Sequence, residues 1–221
     1  KVALSLTLGD YDLDDDVRRN TIAVAETLRE AGVVVEEVEL PWQRGDIFQA
    51  SMIHYGTIFG AWIKEVVTAF PADVTRYAAA FAERSIEVAS EPGAFLRGLQ
   101  IEGRIFEALG DLFTSYNFLL CPTLALPALE AGKDYVDEPL VIGGKTQEGV
   151  LSHLMTIPFN ICSRCPVMSV PSGYSRDGVP TGVQIVGRPY HDRQVVQLAY
   201  VLEERRPWLD RPEHRPPLTS P

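Results

Sequence analysis

Residues Pro158–Gly187 read PFNICSRCPVMSVPSGYSRDGVPTGVQIVG. Two runs in it, Val167–Val170 and Gly182–Gly187, have strand character, and Pro171–Pro180 between them carries the Pro, Gly and Asp that close a hairpin loop. Immediately upstream, Gly149–Asn160 carries Leu151, Leu154, Met155 and Ile157 at helical spacing. Helix, strand, loop and buried strand in this order place the segment in an α/β protein.

Working outward, Asn117–Pro122 (NFLLCP) reads as a further buried strand, followed by Thr123 and a loop with a hairpin turn at Gly143–Gly144. The IGGKT within that loop fails as a phosphate loop, because the required first Gly falls at Pro139. The chain opens with a strand at Val2–Leu8. The acidic run Asp10–Asp16 then reads as a solvated helix start. A helix bearing Val17, Thr21, Val24 and Leu28 runs to Gly32, and a strand follows over Val33–Leu40. Strand–helix–strand of this length predicts parallel neighbours and a right-handed crossover. The middle predicts one long helix with Phe48, Met52, Tyr55, Phe59, Trp62, Val66 and Phe70 on a single face, stopped by Pro71. A second helix falls near Asp73–Val88, and a third has Pro92 in its first turn. Together these helices read as a cover over a sheet or cleft, with His54 as a packed or surface residue. Asp192 is expected to cap a last helix, and the Pro-rich tail after Arg206 to be an extended wrap or a loose end. The expected fold is a mixed β-sheet flanked by helices in one domain over residues 1–221.

Composition narrows the function classes. The chain has 221 residues, 46% hydrophobic and 23% charged, and its 30 acids against 20 Lys and Arg give a formal charge of −10. That balance argues against direct binding to nucleic acid or to an anionic membrane. No apolar run reaches the length of a membrane span, and no signal peptide opens the sequence. Three cysteines are too few for a disulfide framework, so a reducing cytoplasm is the expected location. The first residue, Lys1, stands at the edge of a strand, which predicts a fragment, a processed chain or a trimmed one.

Catalytic motifs are scarce. No Gly-x-Ser-x-Gly elbow occurs, and none of Lys1, Lys64, Lys133 and Lys145 has Ser three residues before it. Ser172 has no neighbouring base in sequence and reads as a turn residue. Cys162-Ser163-Arg164-Cys165 admits zinc binding or thiol exchange, but zinc needs two more ligands and only Cys121, His153 and His191 are at hand. Two small thiols lining a bend is the favoured reading. No metal and no cofactor is expected.

Asn160, Pro166, Ser169-Val170-Pro171, Gly178-Val179-Pro180, Gly182 and Gln184 stand in an order that resembles the C-terminal hallmark of the amidase signature family. Pro122-Thr123 after its strand, the opening strand and helix, and a closing helix with Ala199 and Glu203 extend the resemblance over nearly the whole chain. Three departures stand out. Asn117 replaces a frequent Asp, the bend Ser163–Cys165 lacks glycine, and the Gly/Ser-rich segment and lysine that supply the family's catalytic groups are absent. The resemblance implies a partial amidase signature fold, the C-terminal portion of an enzyme that hydrolyses a carboxamide with a serine, a cis-peptide serine and a lysine. Those catalytic residues lie outside this sequence, so the chain alone is expected to be inactive. It also implies a substrate wall built from Thr123, Leu154, Ile157, Asn160 and Arg164. Arg164 reads either as a clamp for a substrate carboxylate or, more plainly, as a salt bridge or a donor to loop carbonyls. Gln184 is expected to be structural. The implied partners are a small-molecule amide, the missing N-terminal segment of the same enzyme, and a second copy in a homodimer. Two other readings stay open: the glutaminase component of a tRNA-dependent amidotransferase, and a non-catalytic thiol or zinc module built on Cys162 and Cys165.

Overall fold

A computed structural model describes residues 1–209 and 212. The greater part of the Pro-rich tail lies outside the described residues. Among these, five strands form one sheet in the order β2-β1-β3-β7-β6: β1 Val2–Leu4, β2 Val35–Glu37, β3 Phe118–Pro122, β6 Val167–Tyr174 and β7 Pro180–Gly187. β1 runs parallel to β2 and β3, while β7 is antiparallel to β3 and to β6. The sheet is mixed, as expected, and β1 and β2 are the predicted parallel neighbours. β2 is shorter than its sequence pattern, and Glu36 and Glu37 are exposed.

Leu119, Leu120 and Cys121 are consecutive and fully buried, so both faces of β3 are covered. Helices α1 (Asp15–Glu30) and α7 (Asp192–Arg205) pack against β6 and β7 on one face. Beyond the other face lie α2 (Arg44–Tyr55), α5 (Ala94–Ser115) and α6 (Ile157–Cys162), packed on one another. α7 starts at Asp192, but His191 holds the N-cap position and makes no side-chain cap bond there. α5 starts after Gly93, at φ 75°, so Pro92 lies outside it.

The predicted long helix is one rod with a defect. α2 leads into a π-helical turn at Gly56–Gly60 and then into α3 (Ala61–Ala69). A π turn holds an extra residue, which rotates everything after it around the rod. The single apolar face therefore breaks. Met52 is 3% exposed, whereas Trp62 and Phe70 are 63% and 58% exposed. The second predicted helix of the middle segment, α4 (Arg76–Ala89), packs against α2 and the π turn.

Gly149–Asn160 is not one helix either. It divides into a 3-10 turn at Val150–His153 and α6, which carries Pro158 in its first turn where the missing N–H costs nothing. The loop between β3 and this segment holds a small hairpin, β4 (Leu140–Ile142) and β5 (Lys145–Gln147). Gly143 and Gly144 join them at φ 55° and 78°, the left-handed pair a two-residue hairpin requires.

The acidic run is only partly solvated, which corrects the sequence expectation. Asp14 does cap α1, accepting from the Asp16 N–H at 2.8 Å. Asp12 instead ties the hairpin down, accepting from Lys145 Nζ at 2.7 Å and Gln147 Nε2 at 3.1 Å. Asp16 is buried, its side chain 4% exposed, and anchors the β6–β7 turn. It accepts from the Arg176 backbone N–H at 2.8 Å, from Arg176 Nε at 3.2 Å and from Arg19. These donors, the Arg176 N–H first, hold its carboxyl well below the usual carboxylate range. A carboxyl depressed in the folded state stabilises above its unfolded value, near 3.9, and that contribution fades as pH falls further. Thermal unfolding from pH 7 to pH 3 should show a drop in midpoint that begins at about pH 4. Asp16→Asn should lower the midpoint at pH 7 and shrink the drop. An unchanged midpoint at pH 7 would refute the tether.

Candidate active-site wall

β1 and β3 point the same way, so Leu4 and Pro122 end at one edge of the sheet. Ligands of sheets with parallel strands gather beyond such carboxyl ends. Thr123 is the first residue past β3. Its N–H donates to Gly182 O at 3.0 Å, and its Oγ1 lies 2.9 Å from Ser169 Oγ on β6. Leu124 then pairs with Leu154 through an isolated antiparallel bridge, and Ala125 N–H donates to His153 O at 2.8 Å. These contacts drape the segment from the 3-10 turn to α6 over the strand ends.

Gln184 fixes that drape from below. It is 2% exposed, and its Nε2 donates to Pro122 O at 2.9 Å and to Met155 O at 3.1 Å. This is the structural role expected of it. α6 comes to rest against α2, where a cavity of about 250 Å³ opens. Its walls are Tyr55, Ile58, Phe59, Ile157 and Ile161, with Ser51, His54 and Asn160 as polar members. Ser51 Oγ donates to Phe48 O. The His54 imidazole and the Asn160 carboxamide have no hydrogen-bond partner among the described residues. An apolar slot with a few polar groups free to meet a ligand is the general form of a small-molecule site. It can hold an uncharged group bearing an amide, but it contains no activated nucleophile.

Of the five residues read as substrate wall, Ile157 and Asn160 meet in this cavity. Thr123 and Leu154 line the strand-end region beside it. Arg164 lies past α6, ion-paired with Glu102, donating to Cys162 O at 3.1 Å and 5.1 Å from the Phe106 ring centroid. Sequence reasoning missed the α2 side of the cavity. Ile58 and Phe59 sit in the π turn and His54 in the last turn of α2 before it, and the local signal for that turn was the pair Gly56 and Gly60 inside an apolar helix.

The sequence profile of the family described as Amidase matches residues 1–196. The chain belongs to the amidase family. The A-type subunit of the glutamyl-tRNA(Gln) amidotransferase from Lactococcus lactis subsp. lactis (strain IL1403) is 26% identical over 225 residues, covering 92% of this chain and 44% of that protein. Its counterpart in Thermodesulfovibrio yellowstonii is 35% identical over 114 residues, 52% of this chain and 22% of that one. The chain thus spans less than half the length of these curated relatives. Among solved structures, a bacterial aryl acylamidase of the amidase signature family superposes with TM-score 0.82 at 21% identity, covering 97% of this chain and 46% of that one. The corresponding glutamyl-tRNA(Gln) amidotransferase component from Thermotoga maritima gives 0.61 at 21% identity, over 94% and 42%.

The C-x-x-C begins at the last residue of α6 and precedes β6. Cys162 is buried and Cys165 half-buried, and both are free thiols. Burial, then the neighbouring Cys165 and Glu102, push the Cys162 thiol up to about 12, and burial pushes Cys165 up to about 11. Both are therefore protonated and poorly nucleophilic at neutral pH. Among the described residues, no three His, Cys, Asp or Glu side chains gather in a geometry that could hold a metal ion. No described helix is long and apolar enough to cross a membrane.

Proposed function

We propose that these residues form the C-terminal part of a single amidase domain that hydrolyses a carboxamide to a carboxylate and ammonia or an amine, with the nucleophile supplied from outside this sequence. The observation that carries this reading is the drape over the strand ends. The family's Asn160-to-Gln184 pattern builds it and closes a cavity with Ile157 and Asn160, yet no group in the cavity can attack. β6 supports the same reading. It is the last strand of the described sheet, and Val167, Ser169 and Pro171 on one of its faces are exposed. A further segment of the same enzyme is the natural cover for that strand. Thr123, Leu154, Ile157 and Asn160 would then bound the substrate, and Arg164 would meet a substrate carboxylate only by giving up Glu102.

The test is an assay with an aryl amide. The 221-residue chain alone is expected to show no turnover. Combined with the remaining portion of the same enzyme it should gain activity, and Asn160→Leu should then weaken that activity through KM. Turnover by the isolated chain would overturn the division of labour. A second reading, the glutaminase component of a tRNA-dependent amidotransferase, is favoured by the names of the curated relatives. It predicts that activity depends on further protein partners, which a simple amidase does not need.

A further inference from the structure

At the other end of the strands, where β3 begins and β7 ends, a cavity of about 370 Å³ opens between the sheet and α7. Asn117, Phe118, Arg188, His191, Gln194, Gln197, Leu198 and Val201 line it. In a chain carrying 30 acids, none of these residues is acidic. Arg188 is half-buried. Its Nη2 donates to Tyr116 O at 3.0 Å, while its Nε is enclosed without a partner. No carboxylate of the described residues pairs with it. Shielding a cation from water is costly unless an opposite charge or a full set of acceptors compensates it. Half-buried, Arg188 keeps part of its hydration, and within the described residues one carbonyl is the acceptor it has.

The rest of the wall matches one kind of ligand. Gln194 and Gln197 present carboxamides with no hydrogen-bond partner among the described residues, and a carboxamide donates without bringing charge. Phe118, Leu198 and Val201 supply apolar surface beside them. We infer that this cavity binds a small organic carboxylate, its carboxylate on Arg188 and the glutamine amides and its apolar body on Phe118, Leu198 and Val201. With Nε enclosed and Nη2 already donating to Tyr116 O, the remaining guanidinium N–H groups, on Nη1 and the second of Nη2, are the charge-assisted donors for the carboxylate.

Benzoate tests this, with benzamide as its neutral isostere and inorganic phosphate as an anion without an apolar body. Each is titrated into the 221-residue chain and followed by amide shifts of Phe118, Gln194 and Gln197. Benzoate should give saturable shifts in the millimolar range and bind more tightly than the other two. Arg188→Gln should weaken it about tenfold or more, the loss of a charged hydrogen-bond donor. Arg193→Gln, an exposed neighbour outside the wall, should leave it unchanged. Should Arg188→Gln fold poorly, Gln197→Glu places a carboxylate in the exposed wall and should weaken benzoate to a similar degree. Absence of saturation with benzoate would overturn the site. So would equal binding of benzamide or phosphate, or equal losses in Arg188→Gln and Arg193→Gln.

Discussion

Gly56→Ala should destabilise the protein by about 3 kcal/mol or more, the upper end for overpacking a buried contact. Gly56 has ordinary right-handed helical angles, so backbone strain is not the cause. The cause is the closeness of α4. A Cβ at position 56 would stand 2.5 Å from the Ser85 carbonyl carbon and 2.6 Å from Ala89 Cβ. Neither is the tip of a flexible side chain, so α4 itself must move away from the π turn. Because Tyr55, Ile58 and Phe59 line the Asn160 cavity, that movement also deforms the proposed substrate wall. Gly103→Ala is the matched control. Gly103 lies in α5 with nothing near its missing Cβ, so the substitution should stabilise by about 0.5–1 kcal/mol through helix propensity. Chemical denaturation of both variants checks the pair. Losses of similar size and sign would show that the close approach at Gly56 does not constrain the fold.

Gln184→Leu should cost about 2–3 kcal/mol, although leucine is apolar and the site is buried. The substitution removes the donor shared by the Pro122 and Met155 carbonyls, which are enclosed and gain no water in exchange. Leaving a buried acceptor unsatisfied costs more than its hydrogen bond contributes when made. The effect should be local as well as global. Hydrogen exchange should quicken in residues 152–162, which Gln184 holds over the strand ends, more than in β7 itself. Unchanged exchange in that segment would mean that Gln184 serves only its own strand.

Much of this protein was legible from local pattern. The strands around Leu119–Cys121 and Val183–Val186 show as short apolar runs. The Gly143–Gly144 turn shows because only glycine adopts two successive left-handed conformations cheaply. The order from Asn160 to Gln184 identified the family, and the structure agrees in placing Gln184 beneath the segment that this order describes.

The kind and order of the elements could be read along the chain, because they follow from contacts a few residues apart. Which side chains meet is settled only by packing. The π turn is invisible to a 3.6-residue pattern, since it arises where Gly56 and Gly60 admit α4, and it sends Trp62 and Phe70 out of the face they share in sequence. Asp12 and Asp16 look like solvated acids at a helix start, and become tethers, Asp16 a buried one, because Lys145 and Arg176, more than a hundred residues away, fold back onto them. The Asn160 cavity is the same case. His54 and Asn160 share a wall only after α2 and α6 have packed, and no spacing in the chain encodes a contact that the packing of two distant helices creates.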